Sequence, residues 1–153
     1  LEVGRDGSVN VSRLRGVPHR TAGAGGFVDI TARARKIVFS GNFNAGARMR
    51  VEDGKVVIDA EGKVAKFVDA VDQVSFSGAR ARELGQDVTY VTERCVIRLR
   101  DGALVVTEIA PGLDLRRDVL DQAVTDLQVA DDLAVMDARL FRPDPMQLEL
   151  ASA

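Results

Sequence analysis

Thr21-Ala-Gly-Ala-Gly-Gly-Phe27, running on into Val28-Asp-Ile-Thr-Ala-Arg-Ala-Arg-Lys-Ile-Val-Phe-Ser-Gly-Asn-Phe43, is the stretch on which the reading of this chain turns. Gly23, Gly25 and Gly26 free the backbone of Cβ constraints, so it can take positive φ or approach a ligand closely. Phe27, Ile30, Thr31 and Ala34 then fall at helical spacing, which predicts a short helix burying that face. Ile37-Val-Phe39 is a β-prone apolar run, expected as an interior strand. A glycine loop that opens a helix sets backbone N–H groups beside the positive end of the helix dipole, which suits a phosphate or an oxyanion. The alternative is a glycine turn needed only for tight packing.

Two phosphate motifs can be tested on this stretch, and neither fits. The dinucleotide pattern G-x-G-x-x-G needs glycine where Val28 stands. The P-loop pattern is approached at Gly41-Asn-Phe-Asn-Ala-Gly46, but Ala47 and Arg48 replace the required Lys and Ser/Thr. Asn42 and Asn44 follow the predicted strand at its carboxyl end, where open α/β sheets place ligands. They are candidates for lining a substrate or coenzyme channel, with turn formation as the alternative.

A chain of 153 residues is one domain or a piece of one, large enough for a real core. No run is long and apolar enough for a membrane-spanning helix, and no signal-peptide pattern opens the chain. Cys95 is the single cysteine, so an intrachain disulfide is excluded and a reducing cytoplasm is the expected setting. Its context Cys-Val-Ile-Arg-Leu predicts a buried, inert thiol. With His19 as the one histidine, a metal site is not expected. The net charge of −2 hides an asymmetry: residues 1–50 carry nine Lys/Arg against three Asp/Glu, and residues 101–153 four against eleven. A basic segment beside a glycine loop suits an anionic coenzyme. With aromatics at only 5%, it does not suit nucleic acid.

Around the opening stretch the elements are expected as follows. Val9–Ser12 is a short strand after the turn Asp6-Gly7, and with the helix 28–35 and strand 37–43 it forms a right-handed βαβ unit. Arg13 to Arg20 is a basic connection. Arg48–Asp59 is a hairpin around Glu52-Asp-Gly-Lys55. Phe67-Val68 and Val74–Phe76 are short strands, and 79–84 is a helical segment stopped by Gly85. Three strands follow, 88–92, 95–99 and 103–109, the last two joined by Asp101-Gly102. Asp114 caps a helix bearing Leu115, Val119 and Leu120, and a final helix carries Leu133, Met136, Asp137 and Leu140. Hairpins interrupting an alternation of helices and strands predict an α/β sandwich with a mixed sheet rather than a regular doubly wound domain.

The order of motifs resembles a known family. Asp6-Gly-Ser-Val-Asn-Val-Ser-Arg13, Gly23-Ala-Gly-Gly-Phe27, Val38-Phe-Ser-Gly41 and Glu61-Gly-Lys63 are followed by Lys66-Phe-Val68, Val74-Ser-Phe-Ser-Gly78 and Thr92-Glu-Arg94. Glu108-Ile-Ala-Pro-Gly-Leu-Asp-Leu115 and Asp131-Asp-Leu-Ala-Val-Met-Asp-Ala-Arg-Leu-Phe141 complete the series. Nearly the whole chain resembles the C-terminal part of family I coenzyme A transferases, of the fused propionate or short-chain acyl-CoA:acetate type. The resemblance implies a three-layer α/β/α sandwich, and coenzyme A as substrate rather than as a tightly bound cofactor. It implies as partners an acyl-CoA, a carboxylate acceptor and the remaining half of a homo-oligomeric enzyme. It also implies a glutamate nucleophile that passes through a glutamyl-CoA thioester, and it gives Gly23, Ala24, Gly25, Gly26 and Phe27 the role of meeting the thioester and the CoA arm.

In that family the nucleophile lies upstream of the glycine loop, in a glutamate–glycine segment. Here only Glu2 precedes the loop, and Leu1-Glu-Val-Gly4 does not match. The chain is therefore expected to be a portion of something longer, catalytically silent alone, with no catalytic residue of its own. Glu93 is the best internal candidate for a nucleophile, but a strand-end ion pair is the more ordinary role, and the same holds for Glu108. Asp29 reads as a dipole partner in the first helical turn. A noncatalytic binding module and a CoA-thioester hydrolase or sugar-phosphate isomerase on a related fold are the competing functions.

Overall fold

The computed structural model describes residues 1–13 and 21–148; the basic connection with Pro18 and His19 lies outside them. The chain opens with β1 (Glu2–Gly4) and β2 (Val9–Asn10), antiparallel to each other. Asp6 makes the turn between them, its carboxylate accepting both the backbone N–H and the hydroxyl of Ser8. After the glycine loop come α1 (Phe27–Arg33), β3 (Lys36–Ser40) and β4 (Asn44–Ala45). β5 (Arg48–Glu52) and β6 (Lys55–Ala60) form a hairpin, followed by β7 (Val64–Ala65) and β8 (Phe67–Val68). α2 (Gly78–Glu83) precedes β9 (Asp87–Val91), β10 (Cys95–Arg100) and β11 (Ala103–Ile109). α3 (Leu115–Asp118), a 3₁₀ turn at Leu120–Gln122, β12 (Gln128–Val135) and a 3₁₀ turn at Ala138–Phe141 follow.

The central sheet has the order β12-β11-β10-β9-β3. Its inner pairs are antiparallel and its two outer pairs, β3 with β9 and β11 with β12, are parallel. The fold is thus α/β with a mixed sheet, as the motif order implied. One face carries a row formed by Phe39, Tyr90, Ile97 and Val106 from four adjacent strands. That row packs into the main core with Val3 and Val9 of the small sheet β2-β1-β8, Ala81 of α2 and Val119. Each valine, isoleucine or phenylalanine among these contributes about 1.5–3 kcal/mol of transfer free energy if fully buried. The opposite face holds a smaller cluster, in which Val96, Ala110 and Met136 meet Val56 of the hairpin, with Met49 and Phe141 alongside.

Local chemistry fixes the turns. Asp53-Gly54 and Asp101-Gly102 all have positive φ, the type I′ geometry whose twist matches the flanking strands. Ser77 caps α2 by accepting the Arg80 N–H, and Asp114 caps α3 by accepting the Arg117 N–H. Gly78 permits the first turn of α2 to sit on the 6–7 turn: a Cβ there would lie 1.9 Å from the Asp6 carbonyl oxygen.

Several expectations are corrected. β2 belongs to a different sheet from β3, so the predicted βαβ unit does not exist; β2 is spent pairing with β1, a strand too short to read from its sequence. β3 is an edge strand with one buried face, and Val38 is 65% exposed. In α1, Ile30 is 73% exposed while Thr31 is buried, its hydroxyl donating back to the Phe27 carbonyl at 2.8 Å. Val74–Phe76 makes only a bridge, Phe76 to Val9. The final predicted helix is β12 running into a 3₁₀ turn. The register shows why the periodicity misled: Val129 faces Val106 but Ala134 faces Glu108, so β12 bulges through 130–133 and loses its alternation.

Candidate functional site

The glycine loop lies on the surface, with Gly23, Gly25 and Gly26 exposed. Gly25 has φ +52°, and a Cβ built on Gly23 or Gly25 would meet no atom within 4 Å. Internal packing among the described residues therefore does not explain these glycines. Nor do the N–H groups of residues 23–26 find a protein acceptor among the described residues. α1 is only seven residues long and its N-cap, Gly26, offers no side-chain cap, so accessible backbone rather than a helix dipole is what the loop presents. Phe27 anchors it: its ring stacks on Phe39 at 5.7 Å, and Phe39 in turn stacks on Tyr90 at 5.5 Å. The loop is thereby held against the carboxyl-terminal half of β3.

At the end of β3 the chain passes through Ser40, Gly41 and Asn42, which line a small cavity with Leu1, Lys66 and Thr92. Its volume of about 20 Å³ is room for one water molecule. Asn42 is exposed at this point. Asn44 is buried behind it, its Nδ2 donating to the Gln122 carbonyl at 3.2 Å and its Oδ1 without a partner among the described residues.

The segment from Gly41 to Asn44 is held from below by charge. Both carboxylate oxygens of Glu93 accept the Phe43 N–H, at 2.9 and 3.2 Å, so this side chain is engaged in shaping the backbone. Arg94, fully buried, donates from Nε to Glu93, from both terminal nitrogens to Glu61, and again to the Asp118 carbonyl. Its guanidinium also lies 5.3 Å from the Phe43 ring centroid. Sequence reasoning named Arg94 only within the motif Thr92-Glu-Arg94 and gave it no role. No periodic pattern marks a buried arginine whose partners sit 33 and 24 residues away. Glu61 opens toward a cleft of about 420 Å³ between β6 and the segment 112–122, where Asp59, Arg117 and Asp118 also lie.

The remaining candidates stand apart from this arrangement. Cys95 is buried, and burial pushes its thiol up to about 12, which keeps it protonated and inert. Glu108 pairs across the sheet with Val96 and Ala134. Asp29 lies exposed in the first turn of α1. Glu2 is buried and accepts from Asn10 Nδ2 at 3.0 Å. Arg33, Arg35 and Lys36, at the junction of α1 and β3, are exposed and make no ion pair among the described residues. No helix among the described residues is long and apolar enough to cross a membrane.

The chain is similar in sequence and fold to known proteins. Over 137 residues the chain is 46% identical to a caffeate CoA-transferase of Acetobacterium woodii, covering 88% of this chain and 26% of that protein. Over 153 residues it is 40% identical to the acetate CoA-transferase YdiF of Escherichia coli K12, covering 99% of this chain and 28% of the relative. The crystal structure of the acyl-CoA transferase YdiF from Escherichia coli O157:H7, as apoenzyme, superposes with a TM-score of 0.93 at 40% identity, over 99% of this chain and 29% of that one. No family model matches the sequence. In sequence and fold the chain is thus similar to the matching part of CoA-transferases. It spans just over a quarter of the length of the relatives it matches.

Proposed function

We propose that this chain is the C-terminal portion of an acyl-CoA:carboxylate CoA-transferase acting on short-chain acids, and that its glycine loop meets the acyl-CoA thioester. The observation that carries this reading is the set of backbone N–H groups of residues 23–26 that find no acceptor among the described residues, in a loop anchored through Phe27 to the sheet of a CoA-transferase fold. In support, the YdiF protein has also been solved as a thioester complex with CoA, on the same fold at the same TM-score of 0.93.

In the complete enzyme a glutamate supplied upstream attacks the thioester carbonyl. The tetrahedral oxyanion collapses, CoA leaves as thiolate, and an acyl-glutamyl anhydride forms. The thiolate then attacks the glutamyl carbonyl, releasing the first carboxylate and leaving a glutamyl-CoA thioester. The acceptor carboxylate repeats the sequence in reverse and carries CoA away. A carboxylate is a weak nucleophile, so the site must hold the thioester in contact and donate hydrogen bonds to the oxyanion. Backbone N–H groups at 23–26 are suited to that donation. Asn42 stands at the open end of β3 to line the path of the substrate, with Asn44 fixing the turn behind it. Arg33, Arg35 and Lys36, without ion-pair partners among the described residues, place positive charge where the diphosphate end of an anionic coenzyme would be favoured.

The test uses the full-length protein that carries this stretch. It is incubated with propionyl-CoA and acetate, and then with borohydride after propionyl-CoA alone. Acetyl-CoA formed only when acetate is present, together with borohydride inactivation that requires prior acyl-CoA, supports the reading. Steady release of free CoA without an acceptor would instead establish a hydrolase.

A further inference from the structure

We propose that the outer edge of β3 and the apolar groove beside it seat a β-strand, apolar at alternate positions, from the part of the CoA-transferase polypeptide that precedes Leu1. The inference rests on the CoA-transferase reading and concerns how the two parts of such an enzyme join.

The two borders of the central sheet are not alike. β12, at one border, carries a bulge and the adjacent carboxylates Asp131 and Asp132, devices that protect an edge from strand addition. β3, at the other, runs five residues without proline or bulge and, among the described residues, pairs only with β9. Its outward N–H and C=O groups form an unprotected template about 17 Å long. Alongside it runs a groove of about 260 Å³ between α1 and β3, lined by Phe27, Ile30, Ala34, Ile37, Val38 and Phe39. Ile30 and Val38, on its two walls, are among the most exposed large apolar side chains of the described residues. An added strand would put alternate side chains under α1 against Phe27 and Ile30, and the others beside Val38.

Two further facts select the occupant. Nearly three quarters of the length of YdiF lies outside the stretch that this chain matches. Leu1 borders the same cavity as Ser40 and Gly41, at the carboxyl end of β3. Extended backbone leading into Leu1 therefore lies along β3 and parallel to it, the orientation β9 already has on the other side.

Amide hydrogen exchange, read by mass spectrometry on residues 1–153 alone and on the full-length protein, tests this. Peptides covering 36–40 should exchange at least about tenfold more slowly in the full-length protein, while β10 and β11 keep the same protection in both. Equal exchange at 36–40 in the two proteins overturns the proposal. So does protection that appears in residues 1–153 alone as concentration rises, which would assign the edge to a second copy. Val38→Asp supplies the second arm: the melting midpoint of residues 1–153 should stay unchanged and that of the full-length protein should fall. A midpoint that stays put in both proteins counts against the strand. Protection without acyl transfer would sink the functional reading alone, and acyl transfer without protection would sink this one alone.

Discussion

Arg94 grips Glu61 with both terminal nitrogens, at 3.1 and 2.7 Å, from a position with no solvent exposure at all. The same guanidinium reaches Glu93, which in turn fixes the Phe43 N–H. One buried cation thus couples the 61–63 turn to the segment that follows β3. Removing the cation strands Glu93 and the Asp118 carbonyl without their donor. Arg94→Met is expected to lower the unfolding free energy by about 3–5 kcal/mol. Urea denaturation of residues 1–153 measures it, and a loss below about 1 kcal/mol would show the network to be incidental.

Glycines in this chain divide by what surrounds them. Gly78→Ala drives a methyl group into the Asp6 carbonyl, and its stability loss should reach about 3 kcal/mol. Gly23→Ala meets open space, so stability should hold within about 0.5 kcal/mol. In the full-length protein, however, Gly23→Ala should slow acyl transfer if the loop touches the thioester. A variant as active as the parent removes Gly23 from the proposed site.

Cys95 should resist labelling. Its folded thiol lies near 12 because burial disfavours the thiolate, against an ordinary 9.0. Dithionitrobenzoate at pH 8 should react far more slowly with the folded chain than with the urea-unfolded one. The sign for stability follows from the raised value: the contribution is present below pH 9.0 and is lost as pH climbs toward 12. Rapid stoichiometric labelling of the folded chain would contradict this burial.

Asp118 gives the acid limb. Its carboxylate accepts from Arg117 Nε and Nη2, at 2.8 and 2.7 Å, and from the Asp114 N–H at 2.7 Å. The Arg117 hydrogen bonds, ahead of the other causes, hold its pKa below the ordinary 3.8. This stabilisation is complete above pH 3.8 and disappears as pH falls below it. Between pH 5 and pH 3 the urea midpoint of Asp118→Asn should drop less than that of the parent chain; parallel curves would refute the assignment.

What the sequence reveals depends on how local the cause is. Both hairpins are legible because Asp53-Gly54 and Asp101-Gly102 are self-sufficient turns, and α3 because Asp114 caps it within one turn. β12 is not, since its pairing with β11 and its bulge are set by a strand some twenty residues earlier, while Leu133, Met136 and Leu140 imitate a helix. The exposure of Ile30 is equally hidden: helical spacing says which residues share a face, not whether anything covers it. At the site, the glycines announce themselves by composition. Arg94 does not, because its burial is explained only once Glu61, Glu93 and the Asp118 carbonyl converge on it.

The acid-bearing bulge of β12 has a consequence for how copies of this domain can meet. A sheet receptive along one margin and closed along the other cannot propagate. Two molecules joined through β3 would exhaust their available margins, so edge pairing of this sheet terminates at a dimer and offers no route to a fibre.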